Sequence, residues 1–202
     1  MSGILFVISG PSGVGKTTIL QEVLKRDDRL LFSVSETTRE PRAGECNGKD
    51  YFFLSREEFE KKIKKDDFLE WSNHFSNYYG TLKNFVKDGL ADNKDVILDI
   101  DVNGAMQVMK KNIDAVYIFI SPDSVSDLIK RLKNRNTENE DKIKIRIEKT
   151  KSELSLMDKY DFVVINKTLE RSIQEFTGIV ISQRCRIKNN TDFIKQINRE
   201  NQ

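Results

Sequence analysis

One histidine and two cysteines among 202 residues rule out several chemistries at once. A structural zinc site needs a cluster of Cys and His, which this chain does not have. Cys46 and Cys185 lie far apart in sequence, so no disulfide framework is expected and a reducing, cytoplasmic setting is. Excess charge is scarce too: 34 basic against 32 acidic residues leave a net +2. That balance gives no argument for a nucleic-acid or membrane partner, and any anion site must be local. No apolar run approaches the roughly 18 residues of a membrane-spanning helix. Met1-Ser2-Gly3-Ile4 lacks the basic segment and cleavage site of a signal peptide.

What is present suits a soluble globular protein: 33% charged and 38% apolar residues, in a length that fits one domain with insertions. The most informative stretch is Gly10-Pro11-Ser12-Gly13-Val14-Gly15-Lys16-Thr17-Thr18. It follows the apolar run Ile4-Leu5-Phe6-Val7-Ile8 and leads into Ile19, Leu20, Val23 and Leu24, so it falls where a buried strand turns into a helix. Its spacing, G-x-x-x-x-G-K-[ST], lets consecutive backbone N–H groups curl around phosphate oxygens at a helix N-terminus, where the helix dipole also favours an anion. Lys16 is expected on the terminal phosphates of a nucleoside triphosphate, and the Thr17 hydroxyl on a magnesium ion.

Along the chain, short apolar runs alternate with helical patterns. Strands are expected at Leu31–Ser35, Val96–Asp101, Ala115–Ile120 and Phe162–Ile165, besides the first. Helices are expected from Thr17 to Arg26, around Leu82, Phe85, Val86 and Leu90, through Val108, after a cap at Ser121-Pro122-Asp123, and around Leu169, Ile173, Phe176 and Val180. Lys142–Ile147 alternates like a strand, but Ile143 and Ile147 are four apart and the flanks suit a helix, which is the reading adopted. This pattern predicts an α/β fold with a mostly parallel five-stranded sheet flanked by helices. Between Glu36 and Asn77 the texture changes to that of an inserted lobe. There Asn47-Gly48 and Asp50–Leu54 suggest a small antiparallel sheet, and Ser55 with Glu58 suggests a capped helix through Lys65. The polar tail from Arg186 is expected to fray.

The lobe holds a second set of candidates. Arg39 and Arg42 flank Pro41, and paired arginines can grip a phosphate through planar, forked hydrogen bonds. The run Ser33-Val34-Ser35-Glu36-Thr37-Thr38-Arg39-Glu40-Pro41-Arg42-Ala43-Gly44-Glu45, continued by Asn47-Gly48-Lys49-Asp50-Tyr51, closely resembles the monophosphate-binding signature of guanylate kinases. Phe68-Leu69-Glu70-Trp71, Asn77-Tyr78-Tyr79-Gly80-Thr81 and Ile97-Leu98-Asp99-Ile100-Asp101 are similar to that family's later blocks, in the same order. The likeness runs from Ile4 to about Arg186.

The resemblance implies a P-loop NTPase-type core at about 1–34, 82–133 and 149–202, a GMP-binding lobe at about 35–81 and a short helical lid at about 134–148. It implies an enzyme that moves the γ-phosphoryl group of ATP to GMP with Mg2+, with these small molecules as its partners. By resemblance Arg39, Arg42, Tyr51 and Tyr79 contact the GMP phosphate, while Ser35, Glu70 and Thr81 face the guanine. Asp99 would orient the acceptor, and Asp99 and Asp101 would lie near the metal shell; Asp101 equally suits a cap on the following helix. Arg131, Arg135 and Arg146 match the lid arginines. Asn166 matches an adenine contact, and an ordinary strand-end turn residue is an equal alternative. Glu36 departs from the family pattern, where a small polar residue is common, as does Asn73-His74-Phe75-Ser76. His74 reads as a surface residue. Two rivals are a noncatalytic guanylate-kinase-like scaffold module, against which the intact Lys16 and Thr17 speak, and a small phosphate-loop kinase for another substrate, against which Glu70 and the Ser35 block speak.

Overall fold

The computed structural model describes residues 3–74, 76–133 and 140–201. A five-stranded sheet has the order β2-β7-β1-β8-β9, formed by β1 (Leu5–Ser9), β2 (Leu30–Phe32), β7 (Asp95–Asp99), β8 (Val116–Pro122) and β9 (Phe162–Asn166). β2 runs parallel to β7 and β8 parallel to β9. Every residue of β1 and β8 is buried, the signature of central strands covered by helices on both faces. Internal contacts divide the chain into two compact units, Ile8–Asp28 with Val116–Gln202 and Ser2–Val7 with Arg29–Ala115.

In the first unit, helix α1 (Lys16–Arg26) buries Ile19, Leu20 and Val23. Lys25 and Arg26 sit in its last turn and no acid in its first, so nothing within the helix neutralises its positive N-terminal end. Helix α5 is Val125–Lys133 and α6 is Glu140–Leu154, so the ambiguous Lys142–Ile147 is helical. Two expectations fail in this unit. Ser121 and Pro122 belong to β8, and the start of α5 is tied instead by Ser124, whose Oγ accepts the Asp127 N–H at 3.3 Å. The tail does not fray. After α7 (Leu169–Arg184) it forms α8 (Thr191–Glu200), and the Asn190 amide ties its start to the Arg184 and Arg186 carbonyls at 2.6 and 2.9 Å. No described helix is long and apolar enough to cross a membrane.

The second unit carries α3 (Lys83–Ala91), α4 (Val102–Lys110) and a four-stranded sheet of order β4-β3-β6-β5. Its strands are β3 (Glu36–Thr37), β4 (Phe52–Phe53), β5 (Phe68–His74) and β6 (Asn77–Leu82). This sheet is mixed rather than antiparallel: β3 pairs parallel with β4 and antiparallel with β6. The reason is the length of the β3–β4 connection. Asn47-Gly48 does turn the chain, with the Gly48 N–H on the Tyr51 carbonyl at 2.8 Å, but it turns within that long loop instead of joining two paired strands. Helix α2 (Arg56–Lys64) opens on the expected reciprocal cap, the Ser55 hydroxyl taking the Glu58 N–H and the Glu58 carboxylate the Ser55 N–H. Phe59 stacks on Phe68 and on Tyr78, with ring centroids 4.4 and 5.3 Å apart. Glu36 is buried and forms an ion pair with Lys62 of α2, so its departure from the family pattern serves packing between β3 and α2.

Candidate active site

The loop between β1 and α1 is made of backbone. Gly10, Gly13 and Gly15 have φ of 149°, 80° and 100°, conformations that side-chain-bearing residues rarely adopt. At Gly10 a Cβ would fall 2.2 Å from the Ile120 carbonyl oxygen, so β8 also leaves no room for a side chain. Gly15 occupies the N-cap of α1 and offers no side-chain acceptor. The first-turn amides therefore face an anion without an internal competitor. Lys16 folds back along the loop, Nζ donating to the Gly10 carbonyl at 2.8 Å. Ser12, Thr17 and Thr18 are exposed, Pro11 and Val14 buried. Asn166 braces this loop from the end of β9: its Nδ2 donates to the Val14 carbonyl at 2.7 Å and its Oδ1 accepts from Ser172 at 3.0 Å.

Of the three arginines expected in a lid, Arg131 lies on α5 and Arg146 on α6, where it is half-buried. Arg135 lies outside the described residues.

The second unit gathers the other candidates, and it does so with side chains. Strand register places Glu70 of β5 opposite Thr81 of β6. Both are buried, and the Thr81 hydroxyl donates to Glu70 Oε1 at 2.7 Å. Burial pushes the Glu70 pKa up to about 7, and the Asp101 carboxylate adds to the rise, against the opposing hydrogen bonds of Thr81 and the charge of Lys111. A buried carboxylate held this close to neutrality is primed for ligand donors that stabilise its charge. Asp101 caps α4, its Oδ1 accepting the Gly104 N–H at 2.8 Å while its Oδ2 accepts from Ser72 at 3.2 Å. The cap, one of the two roles the sequence left open, is thus a structural fact.

Arg39 is held as a fork. Its Nη2 donates to both oxygens of Glu45 at 2.8 and 2.9 Å and its Nη1 to the Glu40 carbonyl at 2.7 Å. Burial works against its charge, but Glu45 and Tyr79 outweigh that and raise its pKa above the ordinary value. The guanidinium lies over the Tyr51 ring, 5.3 Å from the centroid. Tyr51 meets Tyr79 edge-on at 5.8 Å. Burial and the neighbouring Asp99 carboxylate raise the Tyr51 pKa, so its phenol stays a neutral donor. The Arg42 side chain is exposed, and the Arg42 backbone N–H donates to Glu45 Oε2 at 2.8 Å. Ser35 is half-buried at the start of β3. Glu45 is the residue that sequence reasoning passed over: three residues beyond Arg42, it organises both arginines. An acid directly following an arginine pair in one loop was the available signal.

The arrangement thus has two parts: a backbone cradle suited to a polyphosphate, and a cluster of arginine, tyrosine and a buried carboxylate suited to a purine monophosphate. Comparison with known proteins identifies the family. The guanylate kinase family model matches residues 2–183. The guanylate kinase of Thermotoga maritima is 46% identical over 200 residues, covering 99% of this chain and 97% of that protein. That of Caldanaerobacter subterraneus subsp. tengcongensis is 44% identical over 98% and 96% of the two chains. The crystal structure of guanylate kinase from Anaplasma phagocytophilum superposes with a TM-score of 0.77 at 29% identity, covering 92% of this chain and 88% of that one. With family model, relatives and fold in accord across nearly its whole length, the chain belongs to the guanylate kinase family.

Proposed function

We propose that Gly10–Thr18 with Lys16 forms the donor half-site and that Ser35, Arg39, Arg42, Tyr51, Glu70, Tyr79, Thr81 and Asp99 form the acceptor half-site. The reaction is that of the family: the γ-phosphoryl group of ATP passes to GMP, giving ADP and GDP. Such a transfer needs in-line positioning and charge neutralisation more than proton removal, because the attacking oxygen already belongs to a phosphate anion. The uncapped amides of α1 hold the donor phosphates, and Lys16 exchanges the Gly10 carbonyl for a phosphate oxygen. Arg39 and Arg42 hold the GMP phosphate, with the Tyr51 and Tyr79 hydroxyls donating to it. Arg131, Arg135 and Arg146 share the charge that develops during transfer. Asn166 serves the donor site through the loop it braces.

A magnesium ion fits the donor set. Thr17 offers one exposed hydroxyl, and among the described residues no group of three or more His, Cys, Asp or Glu could hold a metal by itself. Phosphate oxygens and water would complete the shell, as magnesium prefers, with Asp99 and Asp101 in its outer layer. When bound, the ion supplies neutralisation of the phosphate charge. The division into core (1–34, 82–133, 149–202), GMP lobe (35–81) and lid (134–148) belongs to the same reading, as does a cytoplasmic setting.

The observation that carries the acceptor assignment is the buried Glu70–Thr81 pair. Guanine presents N1–H and an exocyclic amine, both donors, on one edge, and a buried carboxylate answers both. Adenine offers an acceptor at N1 and leaves the carboxylate unsatisfied, a loss of about 1–3 kcal/mol or more. The test is a coupled assay with ATP and each nucleoside monophosphate in turn. Turnover with GMP and little with adenosine or uridine monophosphate is expected; turnover with either of those and none with GMP would sink the assignment.

A further inference from the structure

The acceptor half-site depends on a residue with no side chain. Gly104 lies in the first turn of α4, with its N–H taken by the Asp101 cap. A Cβ built on Gly104 would fall 2.4 Å from Glu70 Oε2 and 3.1 Å from Glu70 Cδ, with Ile100 Cδ1 at 3.4 Å. Ordinary van der Waals contact begins near 3.4 Å, so one methyl group and the carboxylate cannot both keep their places. The backbone gives no other reason for a glycine there. Gly104 is helical and absent from the positive-φ glycines, and in a helix alanine is the better former by about 1 kcal/mol. The colliding atoms are the end of a side chain, which can swing aside; no backbone has to move.

From this contact we propose that Gly104 is a specificity-determining positioning residue: the space it leaves on α4 sets where the Glu70 carboxylate meets the guanine edge. The proposal rests on the reading of Glu70 as the guanine acceptor. A methyl group at position 104 moves the carboxylate away from its place opposite Thr81, so the hydrogen bonds to N1–H and the 2-amino group lengthen or break. The displaced side chain costs little in folding, since a flexible end moves and the helix gains an alanine. The effect therefore falls on base recognition. Glycine at this position trades helix propensity for an acid held in register.

The experiment compares Gly104→Ala, Glu70→Ala and the double variant in the intact chain, with GMP and inosine monophosphate as acceptors at saturating ATP. Inosine monophosphate keeps N1–H and lacks the 2-amino donor. For Gly104→Ala we expect kcat/KM for GMP to fall roughly 10- to 100-fold. The preference for GMP over inosine monophosphate should narrow, with KM for ATP and the thermal midpoint held. In the Glu70→Ala background the same methyl group meets no carboxylate, so Gly104→Ala should add no further loss. A Gly104→Ala loss that persists undiminished in that background overturns the proposal, as does an unchanged GMP preference. An unfolded Gly104→Ala chain makes the glycine a folding requirement and overturns it too. If Glu70→Ala itself leaves the preference intact, the reading of Glu70 fails instead, and the two failures are told apart.

Discussion

The proposed donor and acceptor half-sites are built from different materials. Around Gly10–Thr17 the ligand-facing groups are main-chain amides, set by three glycines with positive φ and an N-cap that offers no side chain. In the lobe they are side chains brought together from distant positions: Arg39 on Glu45, Tyr51 against Tyr79, Glu70 on Thr81. The first kind of site grips any polyphosphate and carries no information about a base. On the proposed reading the second is selective, and it holds a carboxylate buried at a pKa of about 7.

That contrast can be broken most forcefully at Lys16. Lys16→Ala removes the one charged side chain of the donor loop, and we expect turnover to fall by about three orders of magnitude, the scale of losing a transition-state charge contact. GMP affinity measured by calorimetry should stay within about threefold if the half-sites are separate in their materials; a parallel loss of GMP binding would show that they are not. Arg39→Lys tests the fork of the acceptor side. Lysine keeps the charge and loses the planar guanidinium, whose Nη2 reaches Glu45 while Nη1 reaches the Glu40 carbonyl, so KM for GMP should rise about tenfold with KM for ATP unchanged. An unchanged KM for GMP would mean that Arg39 acts as a point charge.

The same contrast explains what the sequence disclosed. The donor loop was legible because all its parts lie within eight consecutive residues whose spacing is itself the geometry. The central strands were legible because burial on both faces leaves continuous apolar runs such as Leu5–Ile8 and Val116–Ile120. The acceptor residues could be nominated only by resemblance, since nothing local puts Glu70 opposite Thr81; strand register does that. The parallel β3–β4 pairing escaped because a strong turn dipeptide says where the chain bends and not which strands it joins. The tail helix escaped because its apolar residues are few and its anchoring comes from Asn190 on the end of α7. Gly104 escaped because a missing side chain announces itself only against its neighbour.

The pKa of Glu70 sharpens the comparison further, because it gives the proposed acceptor half a group poised to titrate near neutrality. Donors on guanine favour the ionised carboxylate, so GMP affinity should weaken as pH falls through 7. Between pH 8 and pH 6 the ionised fraction drops about tenfold, and KM for GMP should rise by about that factor relative to a Glu70→Gln baseline that absorbs the titration of the GMP phosphate itself. A flat ratio would contradict the burial argument. For stability the sign is the opposite of a salt-bridged acid. A folded pKa raised above the ordinary 4.5 means that the fold is relatively favoured below pH 4.5 and loses that contribution as pH rises to about 7. Glu70→Gln should therefore unfold at a temperature several degrees higher than the parent at pH 8, on the order of 3 kcal/mol, with the difference vanishing near pH 4. Asp101→Asn should change least. Asparagine caps a helix as well as aspartate, so the thermal midpoint should hold within about a degree; a larger drop would show that the Asp101 charge, beyond its cap, stabilises the fold.

The central claim is that the buried carboxylate of the lobe gives this kinase its base. It is tested most directly by kcat/KM for GMP in Glu70→Gln at pH 8 with saturating ATP. The account predicts a fall of about 100-fold with KM for ATP unchanged, since an amide cannot accept both guanine donors. Turnover of GMP at the parent rate would contradict it.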